Sequence, residues 1–595
     1  MRLTNVAHLN LPFGRLWGYD VTVTPTERRL PISFDQRRHV GRGNRPGSWM
    51  AIAFTLPPTH REKLSDAWLK VIARHGTLRS VFVDESDSGD ANKLGLREVT
   101  ISPGGWVEHY IHAGEAVNDA VRRVLDHYCA PFASPSYRLC AIETVTETTV
   151  IIGVDHSHTD MWSMVVVLRD FLAALGEYVI DAPQLSEVAP FTQHTQSLRE
   201  REQAPAEIHR RWAEIIDASG GGMPRFPLPL GEPGPHVERV EVRDVLGVDE
   251  AAAFSAQARA DGVSSLSTVV AAMTKVTRQQ ANAPLRAVFP VHSRYDHQWH
   301  NSVGWFITNS VLESADPRPA ACADSVKEAV RLGSWPLEDI MKPWGDMPET
   351  PGMFAISWLD LRRLPVRVDS VGLKAQYVGA SIRPDGVMVW FILDETGLHL
   401  RCRYPDTPQA RRNVGGWLDE VVSDIRQRAR ESVGGLLTVD DRQFRVQRAV
   451  RGDVADIVNM LSDDEHGARL ESDAVQKGEH PAYDDAFTIL ARDPNQFLAV
   501  IKDDAGATVG TMQLSILPEL SRGGATRLQL QAVRVATQVR GIGLTSAMIE
   551  WAHEYGRARG AKMAQVSVDE THERALDFYK RLGYHPSHVG FKRAL

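Results

Sequence analysis

The chain has 595 residues, 43% apolar and 24% charged, a globular balance that excludes a disordered or fibrous polymer. Its 67 Lys and Arg against 75 Asp and Glu leave a net charge of −8, which argues against an electrostatic grip on nucleic acid or an anionic membrane. Four scattered cysteines, Cys129, Cys140, Cys322 and Cys402, read as reduced core residues, with neither a disulfide frame nor a zinc site.

No apolar run approaches the ~18–20 residues that span a bilayer, and the N-terminal segment lacks the basic-then-apolar order of a signal peptide. The expectation is a cytoplasmic protein with no membrane or nucleic-acid partner. In chain order, TTVIIGV (148–154) reads as a buried strand and MVVVLRDFLAALGEYV (164–179) as a helix with one apolar face. The Gly- and Pro-rich stretch 219–235 must be a loop or crossover. STVVAAMTKVTRQQ (267–280) predicts a helix and LRAVFPV (285–291) a strand. A polar helix, WLDEVVSDIRQRARES (417–432), then stops at Gly434-Gly435. A fresh strand begins at Phe444, so a domain join falls near 430–443. Beyond it FLAVIKD, TVGTMQLSI and RLQLQAVRV read as strands, LTSAMIEWAHEYGRARG as a helix, AKMAQVSVD as a strand and RALDFYKRLG as a helix. Both halves are mixed α/β (α+β) in pattern.

Two segments concentrate chemistry. The first, Val154-Asp155-His156-Ser157-His158-Thr159-Asp160-Met161-Trp162-Ser163, sits between a buried strand and a helix, where a rigid scaffold can aim an imidazole into a cleft. An imidazole titrates near neutrality and can take a proton from an amine or hydroxyl. Three readings of these residues stay open. His156 is a satisfied loop histidine beside a helix cap, or pairs with His158 and an aspartate as metal ligands, or is the base of an acyl transfer.

Residues 28–430 resemble the condensation domains of nonribosomal peptide synthetases, within the chloramphenicol-acetyltransferase-like superfamily. The resemblance rests on ISFDQRRHV (32–40), VIARHGTLRSVF (71–82), VDHSHTDMWS (154–163) and NSVGWFITNS (301–310), four motifs in family order. It implies two chloramphenicol-acetyltransferase-like lobes in a V, about 1–185 and 186–435. His156 would be the catalytic base and Asp160 the partner of an arginine, Arg79 or Arg294. The acyl donor would ride on the phosphopantetheine of a peptidyl or acyl carrier protein supplied in trans. Two positions depart from the family pattern. Asp155 replaces its first histidine. Met161 replaces a glycine, which would narrow the donor tunnel or mark a domain that binds without turnover.

The second segment is RVATQVRGIGLT (534–545), a glycine-rich turn between a strand and a long helix, whose free N–H groups suit a pyrophosphate. Residues 443–595 resemble a GNAT-family N-acetyltransferase, through RAVRGDVADIVNML (448–461), QAVRV-x4-RGIG, and ETHERALDFYKRLGYHPSHVGFKR (570–593). The resemblance implies acetyl-CoA held by backbone N–H groups across Val539, Arg540, Gly541, Ile542, Gly543, Leu544 and Thr545, with Val533 and Val535 against the pantetheine arm. Two registers fit the loop motif. Gln538, Gly541 and Gly543 match it literally, whereas strand spacing favours Arg540, Gly543 and Thr545. Tyr579 aligns with the acid that protonates the leaving thiolate. Gln531 stands where a glutamate base is usual, leaving Glu519, Asp569, His588 or water to take the amine proton. The acidic run Ser462–His466 reads as a solvated loop or a site for a cationic amine.

Together these imply a bifunctional biosynthetic acyltransferase. Its first part would form an amide or ester on a small amine or hydroxyl acceptor, as in antibiotic assembly. Its second would N-acetylate an amine with acetyl-CoA. The alternative keeps only the GNAT half active, as a tailoring or self-resistance enzyme with a silent docking domain.

Overall fold

The computed structural model describes residues 1–85, 94–176, 187–432, 435–463, 480–493, 495–568, 573–587, 590, 591 and 593. They fall into two compact units. One holds Met1–Val245 and Asp261–Ser423; the other holds Leu246–Ala260 and Asp424–Leu595. The division therefore falls inside the helix Pro408–Ser432, ahead of the glycine stop near 434, and the helix Val248–Ala260 counts with the second unit. Ala253 of that helix packs on the second unit's core. Nothing in its local pattern announced the excursion, because an apolar face does not name what will cover it.

The first unit contains two sheets. The larger runs in spatial order Arg2–Asn5, Gln376–Gly379, Trp49–Leu56, Thr148–Asp155, Tyr137–Glu143, Arg15–Arg29, Leu94–His109 and Ser80–Asp84. Thr148–Asp155 is buried at every position, in keeping with its apolar stretch Val150–Val154, and lies antiparallel to both neighbours. Gln376–Gly379 comes from much later in the chain, antiparallel to Trp49–Leu56 and parallel to Arg2–Asn5. The first sheet is thus not built from residues 1–185 alone. The second sheet runs Ile307–Ser314, Leu285–His292, Phe354–Asp360, Val387–Asp394, Gly397–Pro405, Glu238–Leu246.

The helices Arg61–Arg74 and Met161–Leu175 lay Trp68, Val71, Val165, Leu168 and Phe171 into the core with Ile52, Phe54 and Ile152. Met161–Leu175 stops at Gly176, which takes a left-handed φ of 75° and returns its N–H to Ala173 O. The apolar pattern had carried that helix to 179; residues 177–186 lie outside the described residues.

The second unit's sheet follows chain order: Leu436–Val439, Arg442–Arg448, Gln496–Lys502, Thr508–Pro518, Thr526–Val535, Ala561–Val566. Every pair is antiparallel except the last, which is parallel. The four cysteines are buried and unbridged. No described helix is long and apolar enough to cross a membrane.

Candidate active sites

His156 opens a single 3-10 turn, His156–His158, directly off the buried strand Thr148–Asp155. The four motifs converge on this turn. Asp155 Oδ1 accepts the Ser157 N–H at 2.9 Å, and the His156 N–H donates to Ser48 O at 3.0 Å. Gln36, locked in a capping box with Ser33, donates its side-chain amide to Ser157 O at 2.8 Å. His158 spends both ring nitrogens inside the protein, on Ser157 Oγ at 2.9 Å and Ser80 O at 3.2 Å. It has no lone pair left for an ion. Among the described residues no group of three His, Cys, Asp or Glu is placed to hold a metal.

The His156 ring stays partly exposed and lies against Trp305, centroids 4.1 Å apart at 35°. Its Nδ1 is buried without a well-formed hydrogen bond. Burial pushes the His156 pKa below 6.5, and the neighbouring His39 pushes it the same way. The ring is therefore neutral at neutral pH.

Asp160 is buried. Its Oδ1 accepts the Ser163 N–H at 2.7 Å and its Oδ2 the Phe306 N–H at 3.0 Å. Arg294 supplies the partner arginine, reaching Oδ1 at 3.0 Å and Oδ2 at 3.2 Å. Arg294 also donates to Trp299 O at 2.8 Å and Ser302 O at 2.7 Å, so one ion pair ties the His156 turn to the NSVGWF segment. Among the described residues Arg79 makes no ion pair with Asp160. Arg74 and His75 of the second motif hold Asp170 instead, at 3.1 and 2.8 Å.

Sequence reasoning missed the support of Asp155. His39 Nε2 lies 3.2 Å from Asp155 Oδ1, and Arg45 Nη2 lies 3.0 Å from His39 Nδ1. Arginine only donates, so His39 Nδ1 accepts and its Nε2–H points to the carboxylate. Asp155 and His39 thus form a fixed pair at the position where the family pattern has its first histidine. Met161 takes the first position of its helix with no positive φ, and its side chain packs on the core.

In the second unit, strand Thr526–Val535 keeps its parallel partner only as far as Leu530, opposite Val566. From Gln531 onward that edge has no strand neighbour among the described residues. A bulge with Ala532 at φ 51° bends the strand there, between the pairs Gln513–Gln531 and Thr511–Arg534. A short turn, Thr537–Val539, leads to Gly541 at φ 83° and Gly543 at φ 93°, and Gly543 caps the helix Leu544–Ala558. The first helical bond is Ala547 N–H to Gly543 O. Among the described residues no acceptor takes the N–H groups of Gly541, Ile542, Gly543, Leu544, Thr545 and Ser546. That row of open donors at a helix start is what a pyrophosphate needs.

Residues 457–584 match the acetyltransferase (GNAT) family. The acyltransferase PapA3 of Mycobacterium tuberculosis is 26% identical over 385 residues, 61% of this chain and 79% of that protein. The solved structure of the PapA2 acyl transferase superposes with a TM-score of 0.61 at 18% identity, covering 72% of this chain and all of that one. A condensation domain from the monacolin K polyketide synthase MokA gives a TM-score of 0.51 at 14% identity, over 68% and 98%. The chain thus carries a match to the GNAT family over residues 457–584, behind a condensation-like fold that is similar to named acyltransferases.

Within the GNAT domain, Arg540 points away from the turn. It donates to Val535 O at 3.1 Å and pairs with Asp463 at 2.8 Å. Thr537 Oγ1 also reaches Asp463, at 2.8 Å. The visible end of the acidic run is thus engaged by the loop, while 464–466 lie outside the described residues. Val535 is buried with its carbonyl taken, and Val533 O accepts from Arg534 at 3.1 Å. Gln538 and Gln531 are exposed. Glu519 pairs with Arg527 at 2.7 Å, and Asp569 and His588 lie outside the described residues. Tyr579, half-buried on Glu573–Arg581, has its pKa raised by burial and drawn back by Arg534, on the open-edged strand. His553 Nε2 holds the Tyr584 hydroxyl at 2.7 Å, a contact with no sequence signal.

Proposed function

We propose that the larger unit joins an acyl group, held as a thioester on the phosphopantetheine of a separate carrier protein, to a small amine or hydroxyl acceptor. The neutral, partly exposed imidazole of His156 carries this reading, because every neighbouring polar group of its turn is already tied down. As the acceptor nitrogen or oxygen attacks the thioester carbonyl, its proton passes to His156. The carbon–sulfur bond breaks, the departing sulfur takes the proton back, and an amide or ester is left. Asp160, held by Arg294, positions the turn. The likeness to an acyltransferase along most of this unit supports the assignment.

The GNAT domain would acetylate an amine, with acetyl-CoA supplying the activated acetyl group. The open N–H groups from Gly541 to Ser546 would hold its pyrophosphate. Tyr579, kept protonated by burial, would give a proton to the leaving thiolate.

The test is intact-mass analysis of loaded carrier proteins incubated with the full chain and candidate amines. His156→Ala is expected to slow acyl transfer by roughly 10²–10⁴-fold while acetyl-CoA-dependent acetylation persists. Undiminished transfer would remove His156 from the chemistry. Gly543→Val forces a branched side chain to φ 93°, at a cost of about 1–2 kcal/mol, and turns the loop amides. Calorimetry should then show acetyl-CoA binding weakened about tenfold or more. Equal affinities would place the pyrophosphate elsewhere.

A further inference from the structure

Beside the start of helix Phe34–Val40 lies a cavity of about 380 Å³ that no step above uses. Phe34, Tyr295, Trp305 and Trp335 supply aromatic walls. Trp305 is the same indole that rests against His156, so the cavity and the imidazole share one side chain.

Two acceptors in this lining are incompletely satisfied. The Asp35 carboxylate has the Thr308 hydroxyl as a partner, yet among the described residues it forms no ion pair. Arg38, whose charge draws the Asp35 pKa down, is itself committed to Asp346 at 2.7 Å and Glu349 at 2.6 Å. Burial raises the Asp35 pKa to about 6, as expected of a carboxylate lacking a counter-ion. His194 is 4% exposed, and its Nε2 lies 3.2 Å from Ser293 O. A carbonyl only accepts, so Nε2 carries the proton and Nδ1 is a bare lone pair. That Nδ1 is buried with no partner.

The basic groups at the cavity rim are already engaged. Arg199 donates to Ile32 O at 2.8 Å and Lys342 pairs with Asp339 at 2.8 Å. Arg201 donates to Ser334 O at 2.6 Å and lies over Tyr295 and Trp335, at 5.8 and 6.0 Å. What the cavity lacks is a positive charge with N–H donors on a small hydrocarbon frame. An alkylammonium ion supplies all three, and aromatic walls favour it over a metal ion.

We propose that this cavity binds the ammonium group of a small organic amine, with Asp35 as counter-ion and His194 Nδ1 as second acceptor. The bound molecule is an acceptor with a second, uncharged N–H or O–H, as in a diamine or amino alcohol, and that second group is the one acylated. Its role as acceptor rests on the acyl-transfer reading of His156; its binding does not.

Calorimetry of the full chain with 1,4-diaminobutane, ethanolamine and 3-aminopropan-1-ol, against uncharged 1,4-butanediol, tests it. At least one amine should bind and the diol should not. Asp35→Asn, an isosteric change, should weaken amine binding about tenfold or more. Absence of heat from all three amines up to about 10 mM, or equal binding by Asp35→Asn, overturns the proposal. If amines bind but His156→Ala transfers acyl groups normally, the cavity stands and the reading of His156 falls. If transfer needs His156 but Asp35→Asn uses charged and neutral acceptors as the wild type does, the reverse holds.

Discussion

Asp160→Ala is expected to destabilise the larger unit by about 3–5 kcal/mol, the cost of stranding one member of a buried ion pair. Arg294 is fully buried, and with the carboxylate gone its Nη2 keeps only the Ser163 hydroxyl. Two backbone donors, the N–H groups of Ser163 and Phe306, lose their acceptor in the same step. Asp160→Asn should cost less, because an amide oxygen still serves one of those N–H groups. The pair's specific share comes from the double variant Asp160→Ala/Arg294→Met, which buries no lone charge. Its loss should fall short of the two single losses added together by roughly 1–3 kcal/mol. Urea unfolding followed by tryptophan fluorescence measures all four proteins. Strict additivity would mean that the two residues stabilise the fold independently.

Acid should unfold the same unit early. His75, His158 and His194 are each no more than 4% exposed, and burial lowers the pKa of each below 6.5. A depressed histidine pKa means that below 6.5 the unfolded chain binds protons which the folded chain refuses. Stability is then complete above 6.5 and falls as the pH drops through that value toward the folded pKa values, about 4 for His194. Three such groups together remove on the order of 4 kcal/mol per pH unit. Urea midpoints at a series of pH values should show this slope, and His194→Phe should reduce it by about a third. A midpoint that stays level down to pH 5 would mean that these rings are protonated in the fold.

Much of the candidate chemistry was legible along the chain because it is local. The His156 turn follows a short apolar run that reads as a buried strand, and Asp160 is a helix cap next to its own helix. The GNAT loop is likewise written in two glycines one residue apart, Gly541 and Gly543, whose left-handed φ values other residues adopt only with strain. His39 and Arg45 were not legible, although they sit in the first motif's neighbourhood. Their importance depends on Asp155 arriving from more than a hundred residues later.

By itself the sequence determined the mixed α/β character of both halves, the strand-turn-helix that carries His156, and the glycine turn before Leu544–Ala558, since each follows from short-range periodicity and backbone freedom. Only the tertiary structure chose Arg294 over Arg79, moved Gln376–Gly379 into the first sheet, and opened the strand edge beyond Leu530. It also tied Arg540 to Asp463 and, among the described residues, left Asp35 with no ion pair. Pairings of that kind join residues whose separation along the chain carries no record of which partner folding will bring near.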